Sequence, residues 1–481
     1  MPAFPSVADD QAVMIGRHAD EVILDAYAKE YRDFDVEAAY AGMRKNATEA
    51  TMLPWSRGPL THDYNSSDLS FGWPFTSAGT NLSYVFISFY NALYARIFLA
   101  PEPSGYLAEN RGAKGLFVCV LEIARKKSER QMKFGEKTLR EIHNQPEVWQ
   151  SCLDALDRCD LDLLIGDRDP RSNKWIFLGC GTSYYLAEAA AASFMTLTGQ
   201  AARAVPASEF LLFPKLVIAP ENASVFPVLI SRSGQTTEVL RAAEILERSG
   251  IEFLSVTCDG SELAQLTHRP LKLPVVEQST VMTSSFTSML ISLQFVAAYI
   301  SGQNDFIDAL RTLPPALDRL LPLYAPQVQE FAVNAFDGAA FLGQGALYPI
   351  AQETALKVME SSSSYAHFFH TLEFRHGPKS IVSEKVLVGA LLSETGYAEE
   401  SAVLLEMKEL GGRTLAIGNC ISRQVRSAAD LVIELGLNVP ELARLAVYVV
   451  WGQLLGSYMG IRKGLNPDSP RNLSRIVTLV E

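Results

Sequence analysis

The 481-residue sequence predicts an α/β protein: two tandem three-layer α/β/α sandwiches with parallel sheets, plus an irregular N-terminal extension. Three observations carry this. Short apolar runs end in glycine- and hydroxyl-rich turns and lead into helical stretches, the grammar of parallel sheets covered by helices. That grammar occurs twice in the same order. Phe341–Tyr348 echoes Phe177–Tyr184 at an offset of 164 (177 to 341), Leu391–Gly396 echoes Leu229–Gly234 at 162 (229 to 391), and Leu415–Cys420 stands near the place of Leu254–Asp259 at 161 (254 to 415). Matches in order at a near-constant offset point to a duplicated domain. Finally, 48% hydrophobic and 20% charged residues make a globular chain long enough for two or three cores.

Residues 1–125 form the extension, and no role for it can be read. Asp20–Tyr31 reads as a helix, Leu53–Leu82 mixes Pro, Gly, Ser, Asn and aromatics without a period, and Tyr84–Phe98 suits strand or helix. A helical lead-in follows over 126–170. Glu122–Leu139 is charged and helical, Ile142–Pro146 punctuates it, Val148–Leu164 reads as a second helix, and Gly166–Asn173 is a turn-rich link. The first sandwich takes 171–325. Its strands are Trp175–Leu178, Val225–Ile230 and Phe253–Thr257, and its helices are Ser183–Leu197, Thr237–Arg248 and Met289–Tyr299. Pro314, Pro322 and Pro326 mark the connection, with Leu317–Phe331 partly helical. The second sandwich takes 330–465. Residues 466–481 form a C-terminal tail of loop composition, predicted to lie over the active site.

Composition removes several function classes. With 54 acidic and 42 basic residues the net charge is −12, which argues against nucleic acid or an anionic membrane as partner. Six scattered cysteines without CxxC spacing and only seven histidines predict no metal cluster and suit a reducing compartment. The start MPAFPSVADD has no signal-peptide pattern, and Leu82–Phe98 is interrupted by polar residues. A cytoplasmic location is expected.

The first copy carries two polar turns at strand ends, Gly179–Ser183 and Ser231–Thr236. In parallel α/β folds ligands sit beyond the carboxyl ends of strands, where helix starts expose N–H groups. Gly181, Thr182, Ser183, Ser231, Ser233 and Thr236 are therefore the candidate phosphate ring, the glycine for close approach and the hydroxyls as neutral donors. A dinucleotide site is the rival, but Gly179-Cys-Gly181 lacks the third glycine, and Ala204-Val205 is followed by Pro206 rather than an acidic residue. The second copy replaces Thr182 and Ser183 by Ala346 and Leu347. It gains Glu353, Lys357 and Glu360 on one helical face, a pattern that suits a solvated salt bridge as well as a functional carboxylate. His376 lies on a Gly-Pro loop. Thr283 and Ser284, in a Ser/Thr-rich stretch before an apolar helix, suit N-capping or a polar pocket lining. Arg475 stands in the tail.

These segments together resemble the two-domain form of the sugar isomerase (SIS) family. They look most like amino sugar phosphate deaminase/isomerases and the isomerase half of glucosamine-6-phosphate synthase. The resemblance covers about residues 135–481 and rests on Glu141–Pro146, Cys180–Ser183, Pro206–Phe210, Ser231–Thr236, Glu353–Glu360, Arg375–Pro378 and Asn466–Ser474. It implies two SIS-type sandwiches, a sugar 6-phosphate ligand held by the hydroxyl turns, and Glu360 as the carboxylate moving a proton between C1 and C2. It also implies His376 assisting ring opening, often across a dimer interface, Glu353 and Lys357 as supporting sugar contacts, a homodimer or higher homo-oligomer, and no cofactor. Two departures restrict it. The synthase's glutamine-hydrolysing domain has an N-terminal cysteine, whereas here residue 2 is Pro2 and the first cysteine is Cys119. The synthase's imine-forming lysine is matched by Arg475, a guanidinium that makes no imine. Lys463 is near in sequence but not at the matched place. The reading is isomerising deamination of galactosamine or glucosamine 6-phosphate. Aldose–ketose isomerisation without ammonia release and a non-catalytic sugar-phosphate sensor stand as alternatives.

Overall fold

Buried on both faces, the apolar runs become strands of two parallel five-stranded sheets. The computed structural model describes residues 134–478 apart from 167–173, 219–224, 259–261 and 335. The expected elements Asp20–Tyr31 and Tyr84–Phe98, and most of Glu122–Leu139, lie outside the described residues. The chain divides into two units, Met1–Arg125 and Lys126–Glu481, and both sheets belong to the second.

The first sheet contains β1 (Lys174–Gly179), β2 (Ala202–Pro206), β3 (Val225–Ile230), β4 (Leu254–Thr257) and β5 (Pro270–Lys272), in the order β2-β1-β3-β4-β5. The second contains β6 (Gly338–Gly343), β7 (Tyr365–His370), β8 (Val386–Leu392), β9 (Arg413–Gly418) and β10 (Leu431–Glu434), in the order β10-β9-β8-β6-β7. Read from the other edge, that is the same topology, so the duplication is structural. Its local reason is steric. A Cβ on Gly179 would stand 2.4 Å from the Ser183 carbonyl oxygen, and one on Gly343 would stand 2.3 Å from that of Leu347. Both strands must turn into their helices at a glycine, and the two glycines lie 164 residues apart (179 to 343).

The helices that place the site are α1 (Glu136–His143), α2 (Gln145–Asp157), α3 (Thr182–Thr198), α4 (Thr237–Arg248), α5 (Ser284–Ser301), α6 (Leu313–Phe331), α7 (Tyr348–Ser362), α8 (Tyr397–Glu409) and α9 (Leu445–Arg462). One continuous core joins the facing sides of the two sheets through α3, α5, α7 and α9, with Phe177, Phe194, Phe341 and Trp451 inside it. Two smaller clusters fill the outer faces, under α4 around Val239 and Leu246 and under α8 around Val403 and Met407. Each sandwich is thus a three-layer α/β/α unit. Helix α5 is buried on all sides from Ser284 to Ala298 because it sits inside that shared core. It is long and apolar enough to cross a membrane, and 83% of its apolar window is buried in protein.

One element expectation is corrected and one is extended. Val148–Leu164 is not one helix: α2 ends at Asp157 and a separate turn, Leu161–Ile165, begins where the Asp160 side chain accepts from the Leu163 N–H at 3.1 Å. The connection that Pro314, Pro322 and Pro326 mark is helical over more than the expected Leu317–Phe331, since α6 begins at Leu313 and holds Pro322 and Pro326 in its interior. Four residues apart, both prolines are on the exposed face, where the carbonyls they leave without an N–H partner are open to solvent.

Candidate active site

The two hydroxyl turns follow adjacent parallel strands, β1 and β3, paired from Lys174↔Val225 to Leu178↔Leu229, so they stand side by side at the carboxyl edge. Gly181 caps α3 with φ +54°, and the space its side chain would fill is empty. Thr182 and Ser183 are buried at the first turn of that helix. In the second turn the Ser231 and Thr236 hydroxyls lie 3.2 Å apart, and Ser231 Oγ accepts from the Gly234 N–H at 3.1 Å. Ser233 Oγ accepts from the Gln235 N–H at 3.2 Å. Donors of this kind at two helix starts suit an anion. Burial, with Glu238 adding to it, pushes the intervening Cys180 thiol up to about 12, which disfavours the thiolate.

Arg232, inside the second turn, does not face a ligand. Its guanidinium is buried, paired with Glu277 at 3.0 Å, and donates to the Thr280 carbonyl at 3.0 Å. Glu277 also accepts from the Thr283 N–H and hydroxyl, the Ser284 hydroxyl, and the Ser285 N–H and hydroxyl, at 2.6–3.2 Å. Burial alone would raise this carboxyl, but Arg232 and the Ser285 and Thr283 donors hold it below the ordinary range. Thr283 and Ser284 therefore direct their hydroxyls to Glu277. Their capping chemistry serves a buried brace that locks the 231–236 turn to the start of α5. Nothing in the local pattern marked Glu277, whose partners are spread over Arg232 and three later hydroxyl residues.

The strongest electrostatic feature lies on α7. Glu353, Lys357 and Glu360 do share one face, as the spacing requires, but that face is turned inward. The fully buried Lys357 Nζ is 3.3 Å from Glu353, 2.5 Å from Glu360 and 3.0 Å from the Thr182 hydroxyl on α3. This contact joins the second sandwich to the hydroxyl turn of the first. Burial would lower the ammonium's pKa, but Glu353 and Glu360 outweigh it and raise it, so Lys357 stays charged. Glu353 is fully buried, and burial pushes it up to about 8, Lys357 offsetting part of this and Glu360 adding to it. Only Glu360 reaches solvent, at 18% side-chain exposure.

The tail is tied to the lead-in and the first sandwich. Asn466 accepts from the Gly135 N–H at 3.0 Å, and Asp468 from the Thr138 N–H and hydroxyl, both at 2.8 Å, capping α1. The Arg475 carbonyl accepts from Arg232 at 3.4 Å, and the Val477 carbonyl from the Thr237 N–H at 3.4 Å, so the tail lies along the 231–236 turn. Lys463 donates to Ser364 Oγ at 2.6 Å and to the Ser362 carbonyl at 3.3 Å, holding the end of α7. His376 is exposed on the loop after β7, and its imidazole bonds to no other described residue. Within one chain the structure does not bring it to the α7 cluster.

The second copy's equivalent turn differs in kind. The Ser393 N–H and hydroxyl bond to Glu400 at 2.6 and 2.9 Å, the Glu394 N–H bonds to Glu441, and the Ile421 N–H to Glu434 at 2.8 Å. The donors an anion would use there already serve carboxylates.

The SIS domain family profile matches residues 170–299 and 338–448, about half of the chain, over both sandwiches. The chain belongs to the SIS domain family. Residues 1–76 match a different profile, the glycosyl hydrolase family 92 catalytic domain, and lie outside the described residues. Among SIS relatives, the glutamine–fructose-6-phosphate aminotransferase (isomerizing) of Methanothermobacter thermautotrophicus is 27% identical over 346 residues, covering 71% of this chain and 57% of that protein. The chain thus spans little more than half the length of the curated relatives it matches. The crystal structure of glucosamine-6-phosphate deaminase from Thermotoga maritima is similar over 72% of this chain and all of its own, with TM-score 0.60 and 27% identity. Tagatose-6-phosphate ketose/aldose isomerase from Escherichia coli, at TM-score 0.62 and 23% identity over 69% of this chain and 95% of its own, shares the fold.

Proposed function

We propose that this SIS protein catalyses the isomerising deamination of an amino sugar 6-phosphate, galactosamine or glucosamine 6-phosphate, to a ketose 6-phosphate and ammonia. The observation that carries the reading is the Thr182–Lys357–Glu360 chain. It links the hydroxyl turn suited to a phosphate with the one carboxylate of the α7 cluster that solvent reaches. Glu360 takes the C2 proton of the open-chain aldose, giving an enolamine, and returns a proton at C1. The resulting C2 imine takes up water and releases ammonia, leaving the ketone. His376 moves the proton at the ring oxygen during opening. Since its imidazole is exposed in the single chain, the reading includes a homo-oligomer that supplies it to a neighbouring site.

Lys357 remains an ammonium and Lys463 holds the end of α7, while Arg475 stands at the matched tail position, so the reaction runs without an enzyme imine. The likeness to a protein described as a glucosamine-6-phosphate deaminase, over that protein's whole length, supports nitrogen release over transfer from glutamine. Glu360→Gln tests the assignment. Turnover should fall by about 10²–10⁴-fold with sugar-phosphate affinity kept, as for loss of a general base. A Glu360→Gln enzyme of wild-type activity would remove Glu360 from the mechanism.

A further inference from the structure

His376 sits on a loop where its imidazole bonds to no other described residue, between two cations that are fixed. Arg375 Nε lies 2.7 Å from Glu406 Oε2 and Lys379 Nζ lies 2.8 Å from Glu406 Oε1. A single carboxylate on α8 therefore grips the loop on both sides of the histidine, one oxygen to each cation. The turn between the grips needs such a restraint. Gly377 has φ +117°, which L side chains rarely adopt, and His376 is held locally only by its N–H donating to the Glu373 carbonyl at 2.9 Å. On the near side the loop is anchored by Phe374, fully buried against Phe369. The hydrogen bonds from Lys379 and Arg375 hold Glu406 below the ordinary carboxylate range, so the grip persists through the neutral pH region.

Resting on the deaminase reading above, we propose that Glu406 is a positioning residue for ring opening, setting the reach of His376 toward a sugar ring oxygen. A purely structural role is the competing account, and partly exposed ion pairs of this kind add little to stability. The two accounts separate on substrates that do and do not need ring opening. In heavy water with ammonium chloride, proton NMR follows exchange at C1 of fructose 6-phosphate and tagatose 6-phosphate, which close to rings. The comparison is 5-deoxyfructose 6-phosphate, which lacks the C5 hydroxyl needed to close.

Glu406→Ala in the full chain should lower kcat on the ring-forming ketoses by about ten- to a hundredfold, the scale of a misplaced catalytic group. KM, the rate on the open-chain analogue and Tm should hardly move, and Glu406→Asp should restore most of the rate. In a His376→Asn background Glu406→Ala should cost nothing further, since coupled residues are not additive. Equal losses on both substrate types, or additive losses with His376→Asn, would overturn the positioning role and leave the deaminase reading standing. No exchange by the wild-type chain on any of these ketoses would overturn both.

Discussion

Glu353 is the residue whose chemistry differs most from what its type suggests. Sealed inside the protein beside Lys357, it holds its proton up to about pH 8, whereas an unfolded chain releases it near 4.5. The sign follows from linkage: where the folded state binds the extra proton, stability falls as pH rises. Its contribution is therefore complete below about pH 4.5 and is lost as pH climbs through about 8. Glu353→Gln keeps the shape and removes the titration. Its Tm relative to wild type should be nearly unchanged at about pH 4, rise steadily as pH climbs toward about 8, and be clearly higher at about pH 9. Parallel thermal melts would check this, and a constant difference across that range would place the proton elsewhere. The spacing of Glu353, Lys357 and Glu360 was legible in the sequence. That their face points inward was not, because it depends on Thr182, 175 residues before Lys357, being packed against it.

At the scale of elements, α7 is seated by α9. Gly452, Gly456 and Gly460 recur every fourth residue and lie against Thr354, Lys357 and Ser361. A Cβ on Gly456 would stand 2.5 Å from the Lys357 carbonyl oxygen, and one on Gly460 2.0 Å from that of Ser361. The two backbones approach this closely only because the side chains are missing, and this fixes where Glu360 stands. Gly456→Ala should destabilise by about 1–3 kcal/mol, as overpacking does, despite alanine's better helix propensity. Denaturant titration measures that loss, while a stabilised variant would show that the helices sit further apart. Sequence periodicity found α3 to α5 because their apolar runs are bounded by turn residues. It missed β7, whose Tyr-Ala-His-Phe-Phe-His run is aromatic and half exposed on a sheet edge, and it found only part of α6, whose exposed face tolerates Pro322 and Pro326.

Across the whole molecule, duplication explains both what repeats and what does not. The strand-to-helix glycines recur because the backbone demands them, so the repeat could be read in the sequence from three short matches. The copies then diverge at the strand ends. In the first, serine and threonine hydroxyls at 231–236 bond to one another and to local N–H groups. In the second, Glu400, Glu441 and Glu434 occupy the corresponding donors beside a cleft of about 400 Å³. Leu391–Gly396 was legible as a repeat of Leu229–Gly234; the carboxylates that bond there come from α8 and from segments after β9, out of reach of a local reading. The chain thus concentrates its open hydroxyl turns in one copy and Glu360, the carboxylate proposed to move the proton, in the other, with Lys357 spanning the seam. The measurement that tests this account most directly is ammonia release by the purified full chain from glucosamine 6-phosphate and galactosamine 6-phosphate in parallel, without glutamine. The account predicts saturable release from at least one of them, with ketose 6-phosphate formed in equal amount. Binding of both sugars with no ammonia from either would contradict it.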